Sequence, residues 1–176
     1  MAENVKLEFG VEQEDGTLKV ETPWAISLGN DLYQLDNIPF YAYGISLSDI
    51  VQARKESNDG FPVFVKVAKK SGNRTIRVIF DLPVEENNTS RETLHQLTVM
   101  GCTYEGANKS FVCINIPPEA DLLEIRTFLD EHQLFWEQAD PVEEDLYPDE
   151  FAIIAYDGTD SNAMERRMAA RPPTSP

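Results

Sequence analysis

The sequence predicts an α+β protein in which a β module precedes a mixed α/β half and an acidic C-terminal extension. Short stretches of alternating apolar and polar residues, separated by turn signals, fill residues 1–73. Two stretches with helical spacing interrupt the strands of residues 74–138. Residues 139–176 are acidic, contain several prolines and end in the flexible sequence ARPPTSP. We therefore predict three parts with these bounds.

The N-terminal module begins with a predicted hairpin. Residues 5–11 alternate as a half-buried strand does, a turn follows in the sequence EDG, and residues 17–27 resume the alternation. Pro23 reduces the middle of that second strand to an edge or a bulge. A third strand starts at residues 32–35, and short strands at this spacing indicate a small β-barrel-like module, either a barrel or a half-barrel.

Residues 35–51, with the sequence LDNIPFYAYGISLSDIV, bring aromatic, turn-forming and helix-starting residues together. Ser46 and Asp49 resemble a capping box ahead of a short helix over residues 47–53, although residues 50–53 alternatively form a strand that leaves the turn directly. The density of aromatic and polar turn residues in this stretch at first suggests a functional site. The strands on either side favour a crossover that closes the N-terminal module and seats the later half against it.

Residues 74–138 are predicted to fold as a ferredoxin-like unit. From residue 61 onward, the predicted elements are strands at residues 61–68 and 74–82, a helix from Ser90 to Gly101, strands at residues 102–105 and 110–116, a helix at residues 121–133 and a strand at residues 134–138. The second helix places Leu122, Ile125 and Leu129 on one face. From residue 74 the order is β-α-β-β-α-β, which matches the split βαβ motif of ferredoxin-like folds.

Composition limits the classes of function. The 176 residues contain 15 Lys and Arg against 31 Asp and Glu, and the net charge of −16 argues against nucleic acid as a direct ligand. Cys102 and Cys113 are expected to be reduced and buried, without the spacing of a zinc site. The N-terminus lacks the features of a signal peptide, and no apolar run suits a membrane span. We expect a cytoplasmic protein with no metal or cofactor.

The smaller candidate sites have simpler structural explanations. His95, His132 and Cys102 lack the neighbouring groups, in a suitable pattern, that catalysis needs, so we predict no catalytic residues. A basic cluster surrounds the SGN turn and consists of Lys66, Lys69, Lys70, Arg74 and Arg77. Such a turn can bind phosphate, face the acidic tail of the same protein, or simply be solvated.

An acidic run near the C-terminus is the strongest candidate for a binding surface. No Lys or Arg lies between Arg126 and Arg166, and this span holds twelve Asp and Glu residues. Aromatic residues among the acids suit a surface that covers a basic cleft, because charge speeds encounter and buried aromatics hold the complex. The alternative is a wrap whose aromatics pack on their own domain. The predicted partner-binding residues are Asp130, Glu131, Trp136, Glu137, Asp140, Glu143, Glu144, Asp145, Tyr147, Asp149 and Glu150, with Trp136 and Tyr147 as anchors.

Several blocks of the sequence resemble an uncharacterised family of bacterial proteins that is classified as a domain of unknown function. The blocks are TPWAISLGN, LYQLDNIPFYAYGISLSDIV, KSGNRTIRVIF, LTVMGCTYEG and INIPPEADLLEIRTFL, and they cover roughly residues 5–138. The resemblance implies a bacterial cytoplasmic protein and transfers no activity. Some members are thought to be toxin-immunity proteins, so the resemblance also suggests a role beside a secreted toxin.

Together these observations predict an immunity protein, not an enzyme, that binds and neutralises a cognate secreted toxin. Its acidic surface is expected to cover a basic cleft in a toxin that handles nucleic acid or a nucleotide. We expect a monomer that forms a 1:1 complex with the toxin and has no nucleic-acid or membrane partner. The alternative, by fold analogy, is a dimeric regulatory module that binds a small metabolite at the ferredoxin-like sheet.

Overall fold

The computed structural model describes residues 4–12, 16–56 and 59–142, which form eleven strands and two helices. The strands are β1 (Asn4–Lys6), β2 (Phe9–Glu12), β3 (Leu18–Glu21), β4 (Trp24–Gly29), β5 (Leu32–Leu35), β6 (Ile50–Arg54), β7 (Val63–Lys69), β8 (Arg74–Ile79), β9 (Thr103–Gly106), β10 (Phe111–Ile116) and β11 (Phe135–Asp140). The helices are α1 (Thr89–Val99) and α2 (Leu122–Glu131). This predominance of strands confirms the predicted α+β class. Within the described ranges, no helix is long and apolar enough to cross a membrane.

An open antiparallel sheet of five strands lies in the N-terminal part, in the order β1-β4-β5-β6-β7. Its edge strands β1 and β7 do not form a ladder with each other. Among the described residues, one parallel bridge from Glu8 to Val63 links the chain after β1 to β7. The predicted barrel-like closure is therefore wrong. Short strands and frequent turns predict antiparallel neighbours, but they do not determine whether the strand tilt and stagger allow the last strand to meet the first.

The two long strands predicted at the N-terminus are each broken in two. Pro23 cannot donate to a strand ladder, and the chain divides there into β3 and β4. The Pro23 carbonyl accepts a hydrogen bond of 3.0 Å from the backbone N–H of Leu7, the residue that follows β1. As a result β1 pairs with β4, whereas β2 and β3 form a separate two-stranded sheet.

Strand β6 decides between the two alternatives that the sequence left open after the crossover. It pairs with β5 on one side and with β7 on the other. Val51 and Ala53 on this strand have 0% exposure and belong to the core of the five-stranded sheet. The short helix predicted over residues 47–53 is wrong, because ladders on both sides and a period-two burial pattern favour a strand at these positions.

The second large sheet has four antiparallel strands in the order β11-β8-β10-β9. The predicted element order β-α-β-β-α-β is present from Arg74 onward, with α1 after β8 and α2 after β10. The side chains of Asn88 and Asp121 cap α1 and α2 by accepting hydrogen bonds from first-turn N–H groups. Strand β11 runs on to Asp140, beyond the end predicted at Gln138.

Two separate apolar cores stabilise the two large sheets. The core between the four-stranded sheet and its helices includes Ile76, Ile114 and Leu129, each with 0% exposure. The five-stranded sheet packs on another core, to which Leu7 and Val51 belong. The two clusters have no residue in common. Among the described residues, the two sheets therefore share no apolar core that would join them.

Candidate functional site

Residues 36–49 connect β5 to β6 and lie between the two sheets; we call them the crossover segment. At its start, Asp36 N donates to Trp24 O of the five-stranded sheet at 2.9 Å. Further along, Gly44 N donates to Ala139 O of the four-stranded sheet at 2.8 Å. Backbone hydrogen bonds thus tie the crossover segment to both sheets, as the strands on either side of it suggested.

One carboxylate fixes the middle of the crossover segment. Glu21, the last residue of β3, accepts hydrogen bonds from the backbone N–H groups of Phe40 (2.9 Å), Tyr41 (3.2 Å) and Ala42 (2.7 Å). Successive amides that face one anion form the concave arrangement with which proteins hold phosphates and carboxylates. In this protein the anion is the carboxylate of Glu21. An internal side chain therefore occupies the anion site that the three N–H groups form.

Arg77 lies beneath the crossover segment and is only 4% exposed. Its guanidinium donates to Ala42 O at 2.6 Å and pairs with Glu137 at 3.0 Å. The Tyr43 ring stacks over it at 4.2 Å, and the Tyr43 hydroxyl donates to the same Glu137 carboxylate at 2.9 Å. A buried cation is costly unless it is paired and hydrogen-bonded. Arg77 and Glu137 therefore neutralise each other inside the fold.

A second polar group, consisting of Ser46, Asp49, Lys70, Thr75 and Asp140, lies at the end of the crossover segment; we call it the junction cluster. Lys70 Nζ is 2.8 Å from an Asp49 oxygen and 2.6 Å from an Asp140 oxygen. The Ser46 hydroxyl donates to Asp140, and its oxygen lies 2.8 Å from that of Thr75. These contacts connect the loops of the five-stranded sheet to β8 and β11.

The junction cluster has residue types found in catalytic sites, but its arrangement is structural. A serine nucleophile needs an adjacent base and room for a substrate, whereas Ser46 has 0% exposure. Burial alone lowers the pKa of Lys70, but hydrogen bonds and charge attraction from Asp140 and Asp49 outweigh it and raise the pKa above 10.5. The raised pKa favours the protonated lysine, which is the form that pairs with the two carboxylates. The arrangement is suited to joining the sheets.

The two thiols are buried, as the sequence predicts, and they are held in the protonated form. Burial raises the pKa of Cys102 to about 11 and the pKa of Cys113 to about 12. The positive charge of Arg74 lowers the pKa of Cys102, and that of Arg77 lowers the pKa of Cys113, but both effects are smaller than the effect of burial. The thiolate is the reactive form of cysteine, and these pKa values favour the protonated thiol at both positions near neutral pH. In the part of the chain that the structure describes, no three His, Cys, Asp or Glu residues are grouped to hold a metal ion.

The predicted basic cluster does not form one anion-binding surface. Lys70 belongs to the junction cluster, and Arg77 is buried beneath the crossover segment. Arg74 donates to two backbone carbonyls that precede α2, at 2.7 and 2.8 Å. Lys66 and Lys69 remain exposed on β7. Three of the five cations are therefore engaged in holding the fold.

Five of the predicted partner-binding residues lie in the described part of the chain. Trp136 is 6% exposed, belongs to the core, and donates from Nε1 to Asp130 at 3.0 Å. Glu137 pairs with the buried arginine, and Asp140 belongs to the junction cluster. Glu131 is exposed on α2. The other six, namely Glu143, Glu144, Asp145, Tyr147, Asp149 and Glu150, lie outside the described residues, and their binding role stays a prediction.

A groove lies between the two helices, and of its lining residues only Glu131 is among the partner-binding residues predicted from the sequence; we call it the helix groove. Its volume is about 530 Å³. It is lined by Gln96, Met100, Asp121, Leu123, Glu124, Thr127, Phe128 and Glu131. One residue of the sequence, Leu123, indicates such an apolar surface. Leu123 is out of phase with the buried face of α2, and it is 73% exposed.

These features define an α+β protein in which a polar junction ties an open five-stranded sheet to a four-stranded sheet with two helices. Residues 21–138 match the family described as "Domain of unknown function (DUF4265)", and the chain belongs to that family. The expected membership in an uncharacterised domain family is thereby confirmed.

One solved structure is similar over most of the fold. It is described as "Novel crystal structure of a hypothetical protein from Neisseria gonorrhoeae", with a TM-score of 0.68 and 18% sequence identity. The alignment covers 78% of this chain and 95% of that chain. At this identity the similarity concerns the fold alone. No curated protein matches the chain.

Proposed function

We propose that this protein is an immunity-type binding protein that neutralises a basic toxin by covering its active-site cleft with an acidic surface. The observation that carries the proposal is the charge distribution. Residues 127–165 contain twelve Asp and Glu and no Lys or Arg, in a chain whose net charge is −16. Such a field attracts a basic partner over long distances and speeds its encounter.

The contacts of the described residues support a binding role in preference to catalysis. The residues that resemble a catalytic constellation, Ser46, Lys70 and Asp140, are bonded to one another at the sheet junction. Two acids of α2, Glu124 and Glu131, are in contrast exposed and lie beside exposed apolar surface. Acidic side chains around an apolar surface are the chemistry that a basic protein partner recognises.

We also propose that the C-terminal half is a ferredoxin-like unit. The strand order β11-β8-β10-β9, with helices after β8 and β10, supports a ferredoxin-like arrangement of the C-terminal half. We propose that this half presents the acidic surface while the five-stranded sheet supports it. The protein acts as a cytoplasmic monomer that binds its toxin 1:1, and a secreted toxin that handles nucleic acid or a nucleotide is the expected partner.

A truncation tests this function. Because Ala139 and Asp140 bond to the crossover segment and to the junction cluster, the chain should be ended after Val142 and not after Gln138. We expect the truncated chain to remain folded, with the helical circular dichroism of the full chain, because both cores are retained. It should fail to protect cells that express a growth-arresting toxin against which the full chain protects.

A matched control separates charge from length in this experiment. The full chain with Glu143, Glu144, Asp145, Asp149 and Glu150 changed to Gln or Asn keeps the length and loses five charges. It should protect as poorly as the truncated chain, whereas the unchanged chain protects fully. Full protection by the truncated chain would contradict the proposed mechanism.

A further inference from the structure

The helix groove combines an apolar floor with an acidic rim. Leu123, which is 73% exposed, and the partly buried Phe128 and Met100 supply the apolar surface. Asp121, Glu124 and Glu131 supply three carboxylates along one side of α2. Among the residues that the structure describes, neither Lys nor Arg lines the groove. An exposed leucine between acids is unfavourable in water, and it gains most by contact with another apolar side chain.

The helix groove offers the partner a defined binding place on the acidic surface. The docking site inferred for it rests on the proposed immunity function. We propose that the helix groove is the docking site for a basic amphipathic helix of the partner protein. The apolar side of that helix covers Leu123 and Phe128, and its Lys or Arg residues pair with Glu124 and Glu131. This is the helix-in-groove mode of recognition, in which apolar anchors recur every three to four residues.

The dimensions of the groove agree with this occupant. Helix α2 has 10 residues, which corresponds to a length of about 15 Å at about 1.5 Å per residue. The groove follows α2 from Asp121 at its N-terminal cap to Glu131 at its end. It can therefore accommodate about three turns of a partner helix packed beside it, which is enough for two or three apolar anchors and a matching number of cations.

Charge excludes the other obvious occupants. A second copy of this chain carries the same net charge of −16 and offers the same acidic rim, so two grooves repel each other. A phosphate, a nucleotide or a nucleic-acid backbone meets three carboxylates, and the described part of the lining holds no cation to compensate them. A cationic segment with one apolar side is the ligand class for which both the floor and the rim are complementary.

A pair of synthetic peptides tests the docking site on the full chain. The probe is a helical peptide of leucine and lysine in amphipathic order, and the comparison peptide has the same composition in scrambled order. Isothermal titration should show that the amphipathic peptide binds with 1:1 stoichiometry and at least about tenfold more tightly. Equal affinities for the two peptides would mean nonspecific attraction to an acidic protein, and they would overturn the proposal.

Paired variants locate the binding. Glu124→Lys with Glu131→Lys reverses two rim charges, while Asp121 is left unchanged because it caps α2. The matched control, Glu56→Lys with Asp59→Lys, makes the same change in net charge at exposed positions before β7. The groove variant should lose about tenfold or more in affinity for the amphipathic peptide, and the control variant about twofold or less. Equal losses in both variants would contradict a site in the groove.

Leu123→Asn tests the apolar floor in the same titration, because a side chain that is 73% exposed contributes little to the folded core. It should weaken binding of the amphipathic peptide by about tenfold and leave binding of the scrambled peptide unchanged. An unchanged affinity would show that charge alone attracts the probe.

The outcomes also separate this inference from the proposed function. If the peptide binds in the groove but the full chain protects no cells, the immunity function fails and the docking site stands. If the full chain protects cells and the Glu124→Lys, Glu131→Lys variant protects equally well, the function stands and the groove is not where the toxin binds.

Discussion

Replacing Asp49 with alanine is expected to destabilise the protein by about 3–4 kcal/mol. The Asp49 side chain has 0% exposure and accepts hydrogen bonds from Lys70 (2.8 Å) and from the backbone N–H groups of Ser46 (3.0 Å) and Ser71 (2.6 Å). Alanine leaves two backbone donors without a partner and removes one of the two carboxylates that face the lysine. Lys70 is 44% exposed, so water compensates for part of its loss.

An exposed ion pair of the same type serves as the control for Asp49. Lys109 and Glu85 lie 3.5 Å apart, with side chains that are 75% and 60% exposed. Lys109→Ala should change the free energy of unfolding by less than about 1 kcal/mol. Both variants are to be compared with the unchanged chain by equilibrium urea denaturation. A loss for Asp49→Ala as small as that for Lys109→Ala would contradict the structural role of the junction cluster.

Replacing Glu21 with alanine is the second change with a large expected effect, a loss of about 2 kcal/mol. Its carboxylate is the acceptor for three consecutive N–H groups of the crossover segment, those of Phe40, Tyr41 and Ala42. Without it these donors must turn to water or stay unpaired, and the segment loses its anchor to β3. Urea denaturation gives the magnitude, and hydrogen exchange at residues 40–42 should rise.

Two further substitutions give the controls for Glu21. Glu21→Gln keeps one carbonyl oxygen as an acceptor and should lose less than Glu21→Ala. Lys19→Ala changes an exposed side chain on the same strand and should stay within about 0.5 kcal/mol of the unchanged chain. If Glu21→Ala is as stable as Lys19→Ala, the carboxylate does not hold the segment.

The sequence around Ser46 shows how local chemistry can be predicted correctly while the element is not. The spacing of Ser46 and Asp49 predicts a carboxylate that bonds back to the serine N–H, and that bond is present at 3.0 Å. It closes a turn before β6 instead of opening a helix. Hydrogen bonds from β5 and β7 on both sides outweigh the local signal, and these partners are distant in the sequence.

The predicted acidic site illustrates a different limit. Glu137 and Asp140 belong to an acidic run in the sequence, but their partners Arg77 and Lys70 lie 60 and 70 residues away. Composition gives the charge of such a run and cannot say which acids the fold neutralises. Strand alternation does carry part of the answer, because Trp136 lies opposite Val78 and therefore on the face that the helices cover.

The element order of residues 74–138 was predictable because it depends on near-neighbour patterns. The apolar residues that define α2 and the residue that caps it, Asp121, are close together in the sequence. The open form of the five-stranded sheet was not predictable, since it depends on how β1 and β7 are placed by all the strands between them. The junction cluster, assembled from three distant parts of the chain, was missed for the same reason.

We infer that contacts of the crossover segment, both polar and aromatic, make the two sheets one cooperative unit, although their apolar cores are separate. A Trp136→Phe variant leaves Trp24 as the only tryptophan, located in the five-stranded sheet, while both helices belong to the other sheet. In one urea titration of this variant, Trp24 fluorescence reports the first sheet and helical circular dichroism the second. We predict the same midpoint for both signals. Two separate midpoints would contradict the claim, because the sheets would then unfold independently.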